Sequence, residues 1–287
     1  MDRYTKYGSG DQVFERVASV AGEFHSLNVD MIFNFPSQTE EVLLRDIERL
    51  KATGTNQTTF YPLMASPATR VEMAKTVGQV DFEREYRFYQ IIAERLAPDF
   101  EPASAWTFSR DRNEMIDEYI VDYGEYVGIG SGALSYLRDS VWENTFSLSG
   151  YHERIAEGRM AVTARGQAYG RKAQMRYRFV TDLFGLRLDK KRFQRDFGVS
   201  VEVGLWAEVA FMKAVGAIAH DDAEELTLTP LGRYLLLVMM RETLAVSNDH
   251  RDIMRSTLPM DEKLLLLEGD KACPVPREDL AAAAASA

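Results

Sequence analysis

The stretch Leu27–Thr39, LNVDMIFNFPSQT, constrains the chain more than any other. Apolar residues at Leu27, Val29, Met31, Phe33 and Phe35 alternate with Asn28, Asp30, Ile32 and Asn34, which is the two-residue period of a β-strand. Strands buried on both faces of a parallel sheet read as continuous apolar runs. This one has one apolar face and one mostly polar face. A carboxylate in mid-strand, at Asp30, is costly to bury unless a cation or a hydroxyl-bearing ligand meets it. Two readings follow. Either the even-numbered face lines the inside of an open barrel that holds a polar ligand, or this is an edge strand whose polar face is solvated.

A chain of 287 residues that is 46% hydrophobic can bury a large core and predicts about two domains. No run approaches the ~18 apolar residues of a membrane span, and no secretory signal stands at the start, so the chain reads as cytoplasmic with no membrane partner. Cys273 is the one cysteine, in a tail that ends AAAAASA. Disulfides, structural zinc sites and protein-held iron-sulfur clusters therefore cannot be built within this chain. A net charge of -10 argues against a nucleic-acid footprint over the whole protein. Charge is nonetheless uneven, because Arg154 to Arg195 carries twelve Lys or Arg against three Asp or Glu.

Taken in order, the chain opens on a helix pattern with Val13, Val17, Val20 and Phe24 on one face. After the central strand, Thr39 is a candidate N-cap with Glu40 and Glu41 in the first turn. Val42, Leu43, Ile47 and Leu50 continue a helical stripe that stops at Gly54. A strand at Gln57–Met64 completes one βαβ crossover. A loop at Ala65–Thr69, a helix at Val80–Leu96 and short strands at Ala105–Ser109, Glu118–Val121 and Tyr126–Ile129 follow. Beyond Gly150 helices are expected at Gln167–Leu183, Lys190–Phe197 and Val203–Val215, then a ribbon at Leu226–Thr229 and a helix at Leu231–Leu244. That order resembles a winged-helix arrangement.

Three segments in register resemble the radical S-adenosylmethionine (SAM) enzymes of the oxygen-independent coproporphyrinogen III oxidase family. MDRY followed by VDMIFNFPSQTEE is similar to that family's arginine-containing segment and its Asp-Leu-Ile-Tyr-Gly-Leu-Pro-x-Gln-Thr strand and turn. YVGIGSGALSY is similar to its glycine-rich segment after the barrel, and TPLGRYLLLVMM to its closing Thr-x-x-Gly-Arg helix. The resemblance runs from Met1 to about Leu244. It implies an α/β plus α chain: the C-terminal half of an incomplete (β/α)6 radical SAM barrel with its glycine-rich segment over 1–149, a helical, winged-helix-like domain over 150–258, and a tail over 259–287.

The family's cofactors are SAM and a 4Fe-4S cluster held by a CxxxCxxC loop, and that loop is not in this sequence. The resemblance therefore points to the substrate-side part of a tetrapyrrole oxidoreductase, as a fragment of a longer enzyme or a degenerate homologue. As this chain stands it is expected to be inactive. An alternative is a non-catalytic heme- or tetrapyrrole-binding protein. The partners implied are a tetrapyrrole and, for the full-length enzyme, an electron donor.

Residue by residue, Arg3 and Asp30 match positions that contact SAM, where a guanidinium can hold the methionine carboxylate and a carboxylate can accept from ribose hydroxyls or the amino group. Ile32 matches a position whose backbone meets the adenine. Asn34 stands where the family has glycine, and Pro36, Gln38 and Thr39 read as structural members of a turn. Leu63 and Met64, at the end of the next strand, are pocket-wall candidates. Gly128, Gly130 and Gly132 fail the dinucleotide spacing and instead suggest close backbone approach to a large flat ligand, with Trp106, Phe108, Tyr136 and Trp142 as stacking candidates or core. His25, His152, His220 and His250 show no metal spacing, although a single histidine can serve heme as an axial ligand. The basic stretch reads as a solvated helical face or as cations for substrate propionates, ahead of a nucleic-acid face.

Overall fold

The computed structural model describes residues 10–64, 74–75, 78–111 and 124–263. Contacts divide the chain into two compact units, Met1–Tyr123 with Gly170–Val246, and Gly124–Tyr169 with Ser247–Ala287. The boundary expected after residue 149 falls inside the second unit, because strands on either side of it pair in one sheet.

The first unit begins with α1 (Gly10–Val20), β1 (Asn28–Phe33), α2 (Glu40–Ala52), β2 (Gln57–Pro62), α3 (Phe82–Leu96), β3 (Glu101–Pro102) and β4 (Thr107–Ser109). Thr39 caps α2 as expected, its hydroxyl accepting from the Val42 amide at 3.3 Å. Asp81 caps α3 by accepting from the amides of Glu83 and Arg84. β1 and β2 run parallel with α2 as the crossover, and the sheet order is β1-β2-β4-β3 with β4 antiparallel to its neighbours. The expected strand at Glu118–Val121 and the loop at Ala65–Thr69 lie outside the described residues.

Two sequence expectations change here. α1 has no buried residue, and Val13, Val20 and Phe24 are exposed, whereas Phe14 packs on the core. β1 stands at the edge of the described sheet while β2 is buried along its whole length. Alternation survives in β1, where Asp30 and Ile32 meet solvent, and is lost in β2, which is covered on both faces.

The second unit holds β5 (Leu134–Leu137), β6 (Ser140–Asn144), α4 (Leu148–Ala156) and β7 (Val162–Arg165), and its three strands form one antiparallel sheet in the order β5-β6-β7. Tyr126–Ile129 is no strand; Tyr126 makes a single bridge to Tyr136.

Returning to the first unit, α5 (Arg171–Phe184), β8 (Arg187–Asp189), α6 (Lys190–Phe197), α7 (Val201–Gly204), α8 (Trp206–Ala214), β9 (Ile218–Asp221) and β10 (Glu225–Leu228) lead to α9 (Pro230–Ser256), whose residues from Ser247 belong to the second unit. The helix expected over Val203–Val215 is broken at Leu205, whose side chain is fully buried. β8 and β9 flank β10 in an antiparallel sheet of three strands. One apolar cluster joins Phe33, Leu43, Ile47 and Phe88 to Trp106, Phe184, Phe193, Leu205, Leu226 and Leu237.

Within that unit α3 and α9 are tied by buried charge. Glu85 is fully buried, and its Oε1 accepts from Tyr234 Oη at 3.1 Å and from Arg241 Nη1. Burial and the Glu85 carboxylate push the Tyr234 phenol above its ordinary range, so it stays a donor. Arg241 also lies 4.5 Å from the ring centroid of Phe82. Removing one member of a buried pair strands the other, at a cost of about 3–5 kcal/mol. Glu85→Ala is therefore expected to lower the unfolding free energy by about that amount, and Glu85→Gln, which keeps an acceptor for Tyr234, by less. Denaturant unfolding followed by circular dichroism checks both; equal and small losses would show that the pair does not hold the helices.

Candidate functional site

The parallel register places Asn28 beside Gln57, Asp30 beside Thr59 and Ile32 beside Tyr61, and the antiparallel register adds Ser109 beside Gln57 and Thr107 beside Thr59. Partners across a sheet share a face. One face therefore carries a polar strip of Asn28, Asp30, Gln57, Thr59, Thr107 and Ser109, while Val29, Met31, Phe33, Phe60 and Phe108 belong to the other face. The strip is internally wired: Thr59 Oγ1 is 3.4 Å from Thr107 Oγ1 and donates to Asn28 Oδ1 at 3.3 Å, and Asn28 Nδ2 donates to Asp30 Oδ1 at 2.8 Å. It runs from buried hydroxyls at Thr59 and Thr107 to an exposed carboxylate at Asp30, with Ile32 49% exposed on the same face.

Asp30 is thus an exposed acid rather than a buried one, and the desolvation penalty expected from sequence does not arise. Arg3, its expected companion, lies outside the described residues. Neither Thr59 nor Thr107 is singled out by the sequence, because the strip exists only once three strands are in register.

Beyond the end of β1 the chain turns sharply. Asn34 is fully buried with φ +68°, a left-handed conformation that glycine adopts freely and asparagine better than most residues. Its amide donates to Gln38 Oε1 at 2.8 Å and its Nδ2 to the Asp81 carbonyl at 2.9 Å. Arg84 closes the turn, with Nε on Asn34 Oδ1 at 3.0 Å, Nη1 on the carbonyls of Pro36 and Gln38, and Nη2 on the Phe35 carbonyl at 2.7 Å. So the departure from glycine at Asn34 is compensated by side-chain bonds, and Pro36 and Gln38 are structural as expected. Arg84 is the residue that the sequence does not flag. Leu63, half-buried, donates its amide to the Phe33 carbonyl at 2.9 Å, just past β2.

Trp106 is 0% exposed and packed edge-on by Tyr61 and Phe184, with centroids at 5.0 and 4.8 Å, so it is core here and not a stacking platform. Phe108 is core as well.

In the second unit the glycines have internal reasons. A Cβ on Gly128 would stand 2.2 Å from the Leu134 carbonyl oxygen, and Gly132, at φ +66°, would drive one to 2.7 Å from the Phe146 ring. The amides of Gly128, Gly130 and Gly132 donate to Ser135 Oγ, Tyr151 Oη and the Thr145 carbonyl, and Asn144 Nδ2 donates to the carbonyls of both Gly128 and Gly130. The close approach at Gly128 and Gly132 is of the chain to itself, where the sequence suggests an approach to a large flat ligand. Tyr136 is buried, its hydroxyl donating to Asp139 at 3.3 Å. Trp142 lies under the Arg165 guanidinium at 4.3 Å.

The basic stretch also finds its partners within the chain. Arg176 pairs with Glu208, Arg178 with Asp182 and Asp196, Arg187 with Glu225, Lys190 with Asp221 and Glu202, and Lys191 with Glu224. Two histidines are likewise engaged, His220 with Asp222 at 2.9 Å and His250 with Glu143 at 2.5 Å.

No known family profile matches the chain. The oxygen-independent coproporphyrinogen III oxidase of Pseudomonas aeruginosa is 23% identical to it over 235 residues, an alignment covering 75% of this chain and 50% of that protein. A solved coproporphyrinogen III oxidase from Escherichia coli, described as a radical SAM enzyme, superposes with a TM-score of 0.63 at 17% identity, covering 82% of this chain and 59% of its own. This chain resembles the oxygen-independent coproporphyrinogen III oxidases. Its fold is shared with the radical SAM member, and it spans about half the length of the curated relative. Among the described residues, no helix is long and apolar enough to cross a membrane.

Seen beside these oxidases, the Asn34 turn is the feature that ends β1 and starts α2. Asn34→Ala loses the Arg84 and Asp81 bonds and adds left-handed strain, so it is expected to cost about 2 kcal/mol or more. Asn34→Gly keeps the backbone and loses only the bonds, about 1 kcal/mol. Thermal unfolding of the two variants checks the order, which reverses if the side-chain bonds contribute nothing and the alanine relaxes the turn.

Proposed function

We propose that this chain is the substrate-side part of a coproporphyrinogen III oxidase-like radical SAM oxidoreductase that acts on a tetrapyrrole. The observation carrying this reading is the polar strip from Thr107 to Asp30, in a chain whose fold is shared with coproporphyrinogen III oxidase. Finer parts of the reading follow from the element order. The β1-α2-β2 crossover and α3 stand for the second half of an incomplete (β/α)6 barrel, and α5 to α9 with the sheet β8-β10-β9 for a winged-helix-like domain.

The two expected cofactors fit these residues differently. A 4Fe-4S cluster that leaves one iron open needs three thiolates, and Cys273 supplies one at most, outside the described residues. The residues present do not fit a cluster. S-adenosylmethionine suits the exposed end of the strip: Asp30 can accept from ribose hydroxyls or the amino group, and Ile32 offers apolar surface beside it. Carboxylate and strip would bind and orient that molecule; the electron that would release a carbon radical from it would have to come from a cluster held outside these residues.

Leu63 sits where ligands of parallel sheets gather, past the strand end. A tetrapyrrole would meet the rim of the glycine-rich segment, where Ile129 is 87% exposed, and Trp106, buried in the core, would take no direct part.

Calorimetric titration of the chain with S-adenosylmethionine tests this. Saturable binding is expected, weakened about tenfold in Asp30→Ala, which corresponds to the loss of one charge-assisted hydrogen bond of about 1.4 kcal/mol. Undetectable binding, or equal binding by the variant, would count against the strip as the cofactor wall.

A further inference from the structure

In the second unit, residues 143–151 are gripped from two sides, and the two sets of contacts interleave along the chain. One set holds the glycine-rich rim. Asn144 Nδ2 donates to the carbonyls of Gly128 and Gly130 at 3.1 and 3.0 Å, and the Thr145 carbonyl accepts from the Gly132 amide at 2.8 Å. The Phe146 carbonyl accepts from Ser131 Oγ at 2.9 Å, and Tyr151 Oη accepts from the Gly130 amide at 3.1 Å.

The other set comes from the C-terminal residues of the same unit. His250 Nε2 lies 2.5 Å from Glu143 Oε2, and its ring stands edge-on to Phe146 with centroids 6.1 Å apart. Glu262 Oε1 accepts from Ser147 Oγ at 2.7 Å and from Ser149 Oγ. Phe146 belongs to both sets, because its ring fills the space that a Cβ on Gly132 would take. A turn after α9 carries Glu262 there: the amides of Thr257 and Leu258 donate to the carbonyls of Met254 and Arg255, and Lys263 Nζ donates to the Ser256 carbonyl at 2.6 Å.

Glu262 is 7% exposed, two hydroxyls are its donors, and its Oε2 is buried with no hydrogen-bond partner among the described residues. A carboxylate taken from water and answered by hydroxyls recovers little of its desolvation cost. Such a fastener holds by a small margin and can open.

We propose that residues 247–263 form a strap that sets the shape of the glycine-rich rim, with Glu262 and His250 as positioning residues acting through residues 143–151. The proposal rests on the reading above for what the rim meets, a tetrapyrrole, and on these contacts alone for how the rim is held. When the strap opens, Phe146 loses His250 from one side, and Gly132 loses a fixed ring to pack on. By linkage, a ligand that binds the strapped rim tightens the strap by the same factor.

Hydrogen exchange of the full chain, read on peptides containing Gly128 to Gly132, decides this. Glu262→Ala should speed exchange there about tenfold, and Ser149→Ala and His250→Ala about threefold each, as loss of one or two hydrogen bonds would. Glu262→Gln, which keeps an oxygen for both serines, should restore most of the protection. Exchange in β1 and β2 and the circular dichroism spectrum should not change. A rise confined to residues 247–263, with the rim unaltered, overturns the proposal. So does a rise spread evenly through β5, β6 and β7, which would mean that Glu262 serves the sheet as a whole. Should Glu262→Ala fail to fold, Ser149→Ala, at an exposed position, reads the same coupling. A second arm uses coproporphyrin followed by absorbance: its affinity should fall about tenfold in Glu262→Ala, and in the unaltered chain it should slow exchange at residues 258–263. Equal affinity in the two proteins overturns the coupling. No binding by either, with the exchange difference intact, sinks the tetrapyrrole reading and upholds the strap.

Discussion

Glu85 is the constraint on which the larger unit depends. A carboxylate fully removed from water is tolerable only where donors converge on it, and here they come from Tyr234 and Arg241, both on α9. α3 packs on α2, and their sheet shares one apolar cluster with α5 to α9. Apolar contact alone would let two helices slide by a turn at little cost. A buried acid that must find a phenol and a guanidinium admits one register.

Much of that architecture is legible before any coordinates. The β1-α2-β2 crossover is written locally: alternation in β1, a threonine cap with acids behind it, a 3–4 stripe, and a stop at Gly54. α3 is expected over Val80–Leu96, although its cap at Asp81 comes to light only in the structure. Less legible are the strands of three or four residues, β8 and β9, whose mixed polar sequences RLD and IAHD carry no period of their own and exist as strands because β10 lies between them. The break between α7 and α8 has a local signal in Gly204, where a Cβ would stand 2.8 Å from Met175 Sδ, but helical spacing on either side masks it.

The candidate site was half legible for a related reason. Asp30 stands out because an acid in a strand needs explaining; whether that acid is buried depends on which strands flank it, and alternation within β1 does not contain that information. Thr59 and Thr107 look like ordinary strand residues until register aligns them with Asp30. Trp106 misleads for the opposite reason, since an indole suits a core and a ligand platform equally well, and only Tyr61 and Phe184 closing on it decide the matter. The arginines and lysines of residues 154–195 likewise look available in a linear reading, and most of those named above are answered by acids close in space.

The larger unit is not continuous along the chain. Its apolar cluster draws on Phe33, Phe60 and Phe88 from one stretch and on Leu226, Leu236 and Leu237 from another, with residues 124–169 folded into a separate unit between them. During synthesis, which proceeds from the amino terminus, the part of that cluster completed by Leu226, Leu236 and Leu237 therefore stays open until the later stretch has been made. The intervening unit, complete only when the residues after Ser247 arrive, closes later still. A nascent chain of this kind keeps part of its apolar surface in the open for many seconds at ordinary elongation rates, longer than a chain whose lobes finish one after the other.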